Sequence, residues 1–170
     1  FKEYIWNYFK DHYFSDERYA RLDNKALLTI WSMSNFVSFF GSEDGARQAL
    51  EFMREDIKSL GYDGLIVWFG DGGGSVNPAT LQKAASLGAD AVYPYNFGTS
   101  GSSAEHQLSR LNAALSQETI HYVPGVSVGF NAIARHDERS EMIPVSGHRQ
   151  VCEFIRDTYL PQSQDSSWKS

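Results

Sequence analysis

Residues 61–74, GYDGLIVWFGDGGG, hold the pattern on which the fold turns. Leu65, Ile66, Val67, Trp68 and Phe69 are consecutive, apolar and rich in β-branched and aromatic types, as in a strand covered on both faces. The run ends abruptly at Gly70, Gly72, Gly73 and Gly74, which allow backbone shapes closed to other residues, with Asp71 alone among them. Parallel α/β proteins build sites in this way, a rigid strand delivering a polar group into a loop. A plain strand-to-helix connection remains the alternative for Asp71.

Outward from this strand the chain repeats a period. Upstream, Ala46, Ala49, Leu50, Met53, Ile57 and Leu60 mark the apolar face of a helix that Ser42 or Asp44 can cap and Gly61 ends. Before it stand a strand at 26–32, ALLTIWS, and a loop, SNFVSFFGS, whose Phe36, Phe39 and Phe40 either cap a core or stack on a ligand, core capping being the default. Phe1, Ile5, Phe9 and Tyr13 fall at helical spacing, and the turn pair Asp23 and Asn24 separates that helix from the strand. Downstream, Asn77 and Pro78 open a short helix closed by Gly88. A strand at 90–95 follows, then a helix with Ser102 and Glu105 as its capping box and Leu108, Leu111 and Leu115 on its buried face. A fourth strand is expected over 121–128, bent by Pro124 and Gly125, and a closing helix over 147–160.

Four strands separated by helices predict right-handed βα crossovers and a parallel α/β sheet. A (β/α)8 TIM barrel fits better than a doubly wound sheet, because polar and aromatic residues gather after all four strands. Residues 1–170 then form one partial domain, an incomplete half-barrel of four parallel strands with outer helices in sequential order. An antiparallel neighbour, or a fourth strand inserted between the first two, would sink the barrel reading. The first and last strands would carry unpaired backbone groups along one side, so the segment alone should be poorly soluble or self-pairing, and inactive.

Charge and composition narrow the chemistry. A net charge of −6 with no basic run argues against nucleic acid and favours neutral ligands. Cys152 is the only cysteine, which excludes an intrachain disulfide and leaves the compartment open. No apolar run approaches the roughly 20 residues of a membrane span. Residues 1–10 lack a secretory pattern, and a chain opening on Phe reads as a segment of something longer. The glycine cluster matches neither a dinucleotide nor a P-loop spacing, so no cofactor is indicated. His136, Asp137 and Glu138 are adjacent on a charged loop, which suits solvation better than a metal. No nucleophile elbow and no carboxylate pair stands out, leaving no catalytic residue to name. What remains suits a sugar: hydrogen-bonding groups beside aromatic faces. Tyr93, Tyr95, Asn96 and Phe97, with Trp31 and Trp68, offer that mixture, although by the two-residue period only some can share a pocket.

The run YFKDHYFSDERYARLDNKALLTIW, with LGYDGLIVWFG, DAVYPYNF and YVPGVSVGFNAIARHDER, resembles the glycoside hydrolase family 99-like group, also labelled WbsX-like. Asn24 and Ala26 stand where that group has glycine and proline, and Val128 where proline is frequent. The resemblance implies a (β/α)8 barrel acting on α-linked, mostly mannose-containing glycans by a retaining mechanism. Its paired glutamates lie on a motif absent from this chain, which would supply strands four to seven, the remainder of the barrel coming from the same parent. It also implies Tyr95, Asn96, Asn131 and Arg135 as glycan-contacting positions. Trp31 and Asp71 join them from position alone. A glycosyl-transfer role and a non-catalytic glycan-binding segment are the other readings.

Overall fold

The computed structural model describes residues 1–71, 76–95, 103–131 and 140–163. The chain opens with helix α1, residues 2–14, whose end turns are wound wide, so that the Trp6 N–H reaches the Phe1 carbonyl and the Ser15 N–H that of Lys10. Strands β1 (Arg21–Leu22) and β2 (Lys25–Ile30) come next, then helices α2 (Met33–Phe39) and α3 (Glu43–Asp56), the latter tightening into a last turn over Ile57–Leu60. After β3 (Gly64–Gly70), α4 (Pro78–Ser86), β4 (Ala91–Tyr93), α5 (Ala104–Leu115) and β5 (His121–Tyr122) alternate. Strands β6 (Gly129–Asn131) and β7 (Ser140–Met142) and helix α6, residues 145–162, complete the described chain. Among the described residues no helix is long and apolar enough to cross a membrane.

The main sheet has the order β1-β2-β3-β4-β5. Strands β2 to β5 are parallel and consecutive, as helical crossovers of one hand dictate. Two features depart from the expectation. Strand β1 is an antiparallel neighbour of β2, because Asp23 and Asn24 take φ of 48° and 55° and close a two-residue hairpin of the type that needs two left-handed residues. The sheet is therefore mostly parallel. The fourth parallel strand also stops at Tyr122 instead of running to 128, since Pro94, just past β4, has no N–H to give the Val123 carbonyl; the chain beyond pairs β6 with β7 in a separate antiparallel ribbon.

The central strand β3 is buried on both faces, Trp68 alone being half-buried. Ala26, Leu65, Val67, Phe69, Val92 and Tyr122 pack with Leu50 and Met53 of α3, Leu81 of α4, Leu111 of α5 and Val151 of α6, so the described helices cover one face. Thr29, Trp68, Ala91 and His121 are in register on the opposite face, where Thr29 and His121 are exposed. The segment expected to be a loop at 34–41 is helix α2, capped by the Ser32 hydroxyl that accepts from the Asn35 N–H. Its Phe36 and Phe40 pack on the core, while Phe39 is exposed. Ser103 rather than Ser102 caps α5, accepting from the His106 N–H at 3.1 Å. Ser42, Asn77 and Pro78 act as the sequence indicates.

Each outer strand of the parallel set is covered along part of its outward side. β1 covers β2, helped by the Leu27 N–H bond to the Ala20 carbonyl. On the far side the Tyr159 hydroxyl, from α6, donates to the Tyr122 carbonyl at 2.7 Å.

Candidate functional site

The C-terminal ends of β2, β3, β4 and β5 lie side by side, forming one rim. Trp31 follows β2 and Tyr95 follows β4. Their rings meet edge to face, centroids 5.8 Å apart, although each is well exposed, at 59% and 63%. This pairing crosses over Gly70 at the end of β3. A Cβ there would lie 2.6 Å from the Trp31 carbonyl oxygen, so glycine is required for β2's continuation to fold over its neighbour. Gly125 plays the same part against Pro94, whose Cγ would sit 2.8 Å from an added Cβ. Small residues at these two points let the chain close over the strand ends and bring Trp31 and Tyr95 together.

Below the aromatic pair, Tyr93 is half-buried on the same face as Thr29 and Trp68. Burial pushes its hydroxyl up, with the Thr29 hydroxyl bond opposing and Tyr95 adding to the rise. Tyr93 is thus a neutral hydrogen-bonding group at neutral pH.

Asp71 leaves β3 on the other side of the rim. Its N–H donates to the Tyr93 carbonyl at 3.0 Å, extending the β3–β4 ladder by one bond. Its carboxylate accepts from the Tyr122 hydroxyl at 2.8 Å. Burial pushes the Tyr122 hydroxyl far above its ordinary range, and the neighbouring Asp71 charge and the hydrogen bond to it add to the shift; Arg110 of α5 works the other way. Tyr122 is therefore a permanent donor that fixes the carboxylate at the start of the glycine loop. Just past that loop Val76, buried and β-branched, holds φ at 49°, a conformation such residues rarely take.

Of the sequence candidates, Trp31 and Tyr95 are in contact and Asp71 lies on the same rim, anchored to Tyr122. Asn131 is not on that rim's strands; its main chain pairs with Ser140 in the ribbon. Asn96 and Arg135 lie outside the described residues, as do His136, Asp137 and Glu138. Among the described residues no group of three His, Cys, Asp or Glu side chains could hold a metal ion.

Two contributors escape a reading by periodicity. Tyr122 reads as one more core aromatic, and only the sheet register shows its hydroxyl beneath Asp71. Gln107 is fully buried, its amide donating to the Ser127 carbonyl at 2.9 Å and accepting from the Ser127 N–H at 3.0 Å, a clamp that fixes the path from β5 to β6. A polar residue four positions before Leu111, on the apolar stripe of α5, is the signal that could have found it.

No family model, no curated protein and no solved structure matches the chain. The functional reading rests on the rim itself.

Proposed function

We propose that this chain is a wall of the glycan site of a glycoside hydrolase barrel acting on α-linked, mannose-containing glycans by a retaining mechanism, with the paired glutamates supplied outside it. The observation that carries the reading is the exposed Trp31–Tyr95 pair at the C-terminal rim of a sequentially ordered parallel sheet. Aromatic rings displayed to solvent beside the Tyr93 hydroxyl suit a pyranose, whose C–H face stacks while its hydroxyls find donors and acceptors. Sequential strand order with helices on one face agrees with a (β/α)8 barrel, in which sites are built at this end of the strands. Strand β1 pairs antiparallel on the side of β2 where a preceding barrel strand would lie, which counts against barrel closure at that edge.

Tyr95 and Trp31 would stack on the sugar, Tyr93 and Asp71 would bond its hydroxyls, and Asn96 and Arg135 are the further candidates; Asn131, whose main chain pairs in the β6–β7 ribbon, is not one of them. A second reading, a non-catalytic glycan-binding sheet, is favoured by the Tyr159 bond at the far edge, which suits a sheet that ends at β5.

The test is calorimetric titration of the full-length protein with α-mannan oligosaccharides. Trp31→Ala and Tyr95→Ala should each weaken binding by about 1–2 kcal/mol with the fold intact. Unchanged affinity in both variants would remove the rim from the site. Binding without hydrolysis would select the second reading.

A further inference from the structure

The last strand of the main sheet ends in a way that pairing alone does not explain. In a parallel ladder, successive residues direct their main-chain N–H and C=O alternately to the two sides. The Val123 N–H bonds the Val92 carbonyl, so residues 121 and 123 face β4, while Ile120, Tyr122 and Pro124 face outward, where a sixth strand would lie. Three of those outward groups, the Ile120 N–H and C=O and the Tyr122 C=O, are occupied by side chains. The Gln117 amide donates to the Ile120 carbonyl at 2.6 Å and accepts from the Ile120 N–H at 3.3 Å and the Thr119 N–H at 2.8 Å. The Tyr159 hydroxyl donates to the Tyr122 carbonyl, and Pro124 has no N–H to offer. One amide thus imitates both groups of a neighbouring strand residue, and one phenol imitates the next donor along.

We infer that Gln117 and Tyr159 form an edge cap, standing in for a neighbouring strand along β5, and that their removal lets β5 of a second copy of this chain pair there. Bare sheet edges recruit other strands, and folded proteins prevent this by covering them. The cap comes from two elements, the turn after α5 and the end of α6, so it forms only once both are docked. Beside it runs a groove of about 680 Å³ whose lining includes Trp68, Ala114, Leu115, Tyr122, Tyr159 and Leu160. An incoming copy would find apolar surface there as well as the main-chain groups of Ile120 and Tyr122. Those two residues lie two apart on one side, which is the repeat an antiparallel, two-fold related β5–β5 pair needs. This inference involves no sugar in its readout, but it bears on the barrel: a closed (β/α)8 barrel would pair the outward side of β5 with its next strand, so the cap goes with the second reading, a sheet that ends at β5.

The experiment is sedimentation velocity over a concentration series for the protein and for the double variant Gln117→Ala/Tyr159→Phe, with circular dichroism to follow folding. The double variant should dimerise about tenfold more tightly than the parent protein, as expected for exposing two to three main-chain groups to a partner strand. Its amides over residues 120–124 should become more protected from exchange as concentration rises. A folded double variant that associates no more than the parent overturns the inference. So does growth into large aggregates without protection at 120–124, because the substitutions would then only have destabilised the chain. If the double variant does not fold, amide exchange in the unaltered protein decides: the Thr119 and Ile120 N–H groups should be protected, and exchange at the rate of an unstructured chain rules out the cap.

Discussion

The two ends of the parallel sheet use their polar groups in opposite ways. At the N-terminal end, Asp90 accepts from the Val67 N–H and from the Arg54 guanidinium, both at 2.8 Å, while Arg54 also donates to the Leu65 and Gly88 carbonyls. Every one of these bonds ties α3, β3 and the entry to β4 to one another. At the C-terminal rim, Trp31 and Tyr95 present rings to solvent, and the Asp71 carboxylate accepts from the Tyr122 hydroxyl. A group that satisfies the chain's own backbone is committed to stability, whereas an exposed ring pair at the strand ends is available to a ligand. The contrast is the physical basis for assigning function to one end.

The largest expected effect is alkaline. Burial pushes the Tyr159 hydroxyl from 10.0 up to about 12, and the Tyr122 hydroxyl shifts further in the same direction. The folded state holds these protons more tightly than the unfolded state, so the stabilisation is whole below pH 10 and is lost as pH rises through the folded value. For Tyr159 this amounts to about 2–3 kcal/mol between about pH 10 and pH 12. Denaturant midpoints across that window should fall in the parent protein and fall less in Tyr159→Phe. Equal slopes would mean that the buried phenol is not what the alkaline limit reports.

Next in size is the N-terminal end. Asp90→Ala removes an acceptor from the Val67 N–H and the partner of Arg54, and should lower stability by about 2 kcal/mol in urea unfolding while leaving glycan affinity unchanged. The ion pair is partly solvated, 26% and 40% exposed, which keeps the effect below that of a buried charge. A loss of affinity larger than the loss of stability would erase the division between the two ends.

A smaller effect belongs to the support beneath the rim. Tyr122→Phe deletes the donor to Asp71 and should cost about 1 kcal/mol in thermal or urea unfolding. It should also weaken glycan binding, since the carboxylate is no longer fixed. Stability lost with affinity intact would detach Asp71 from the site.

Smallest of all is the stability effect of Trp31→Ala, expected within about 0.5 kcal/mol in the same unfolding assay because the ring is 59% exposed. A large loss would make the pair a core element and end the comparison.

The sequence by itself determined the elements whose cause is local. The apolar run at 65–69, the stripe of α3, the Asn77–Pro78 start of α4 and the left-handed Gly61 and Gly88 all follow from propensity, period and capping, which act within a few residues. It also indicated that Trp31, Asp71 and Tyr95 follow strand ends, which is a statement about order along the chain. It did not reveal helix α2, because aromatic residues spaced for a helix in SNFVSFF look equally like a capping loop until Phe36 and Phe40 meet the core. It placed the fourth strand too long, since a continuous run of strand formers over 121–128 does not say where a partner stops being available. Only the tertiary structure decided that the Tyr122 hydroxyl reaches Asp71 across 51 residues, that Gly70 lies under the Trp31 main chain, and that Tyr159 and Gln117 close the last edge. Those contacts depend on the register of neighbouring strands and the docking of α6, and neither is fixed by a property any one segment carries alone.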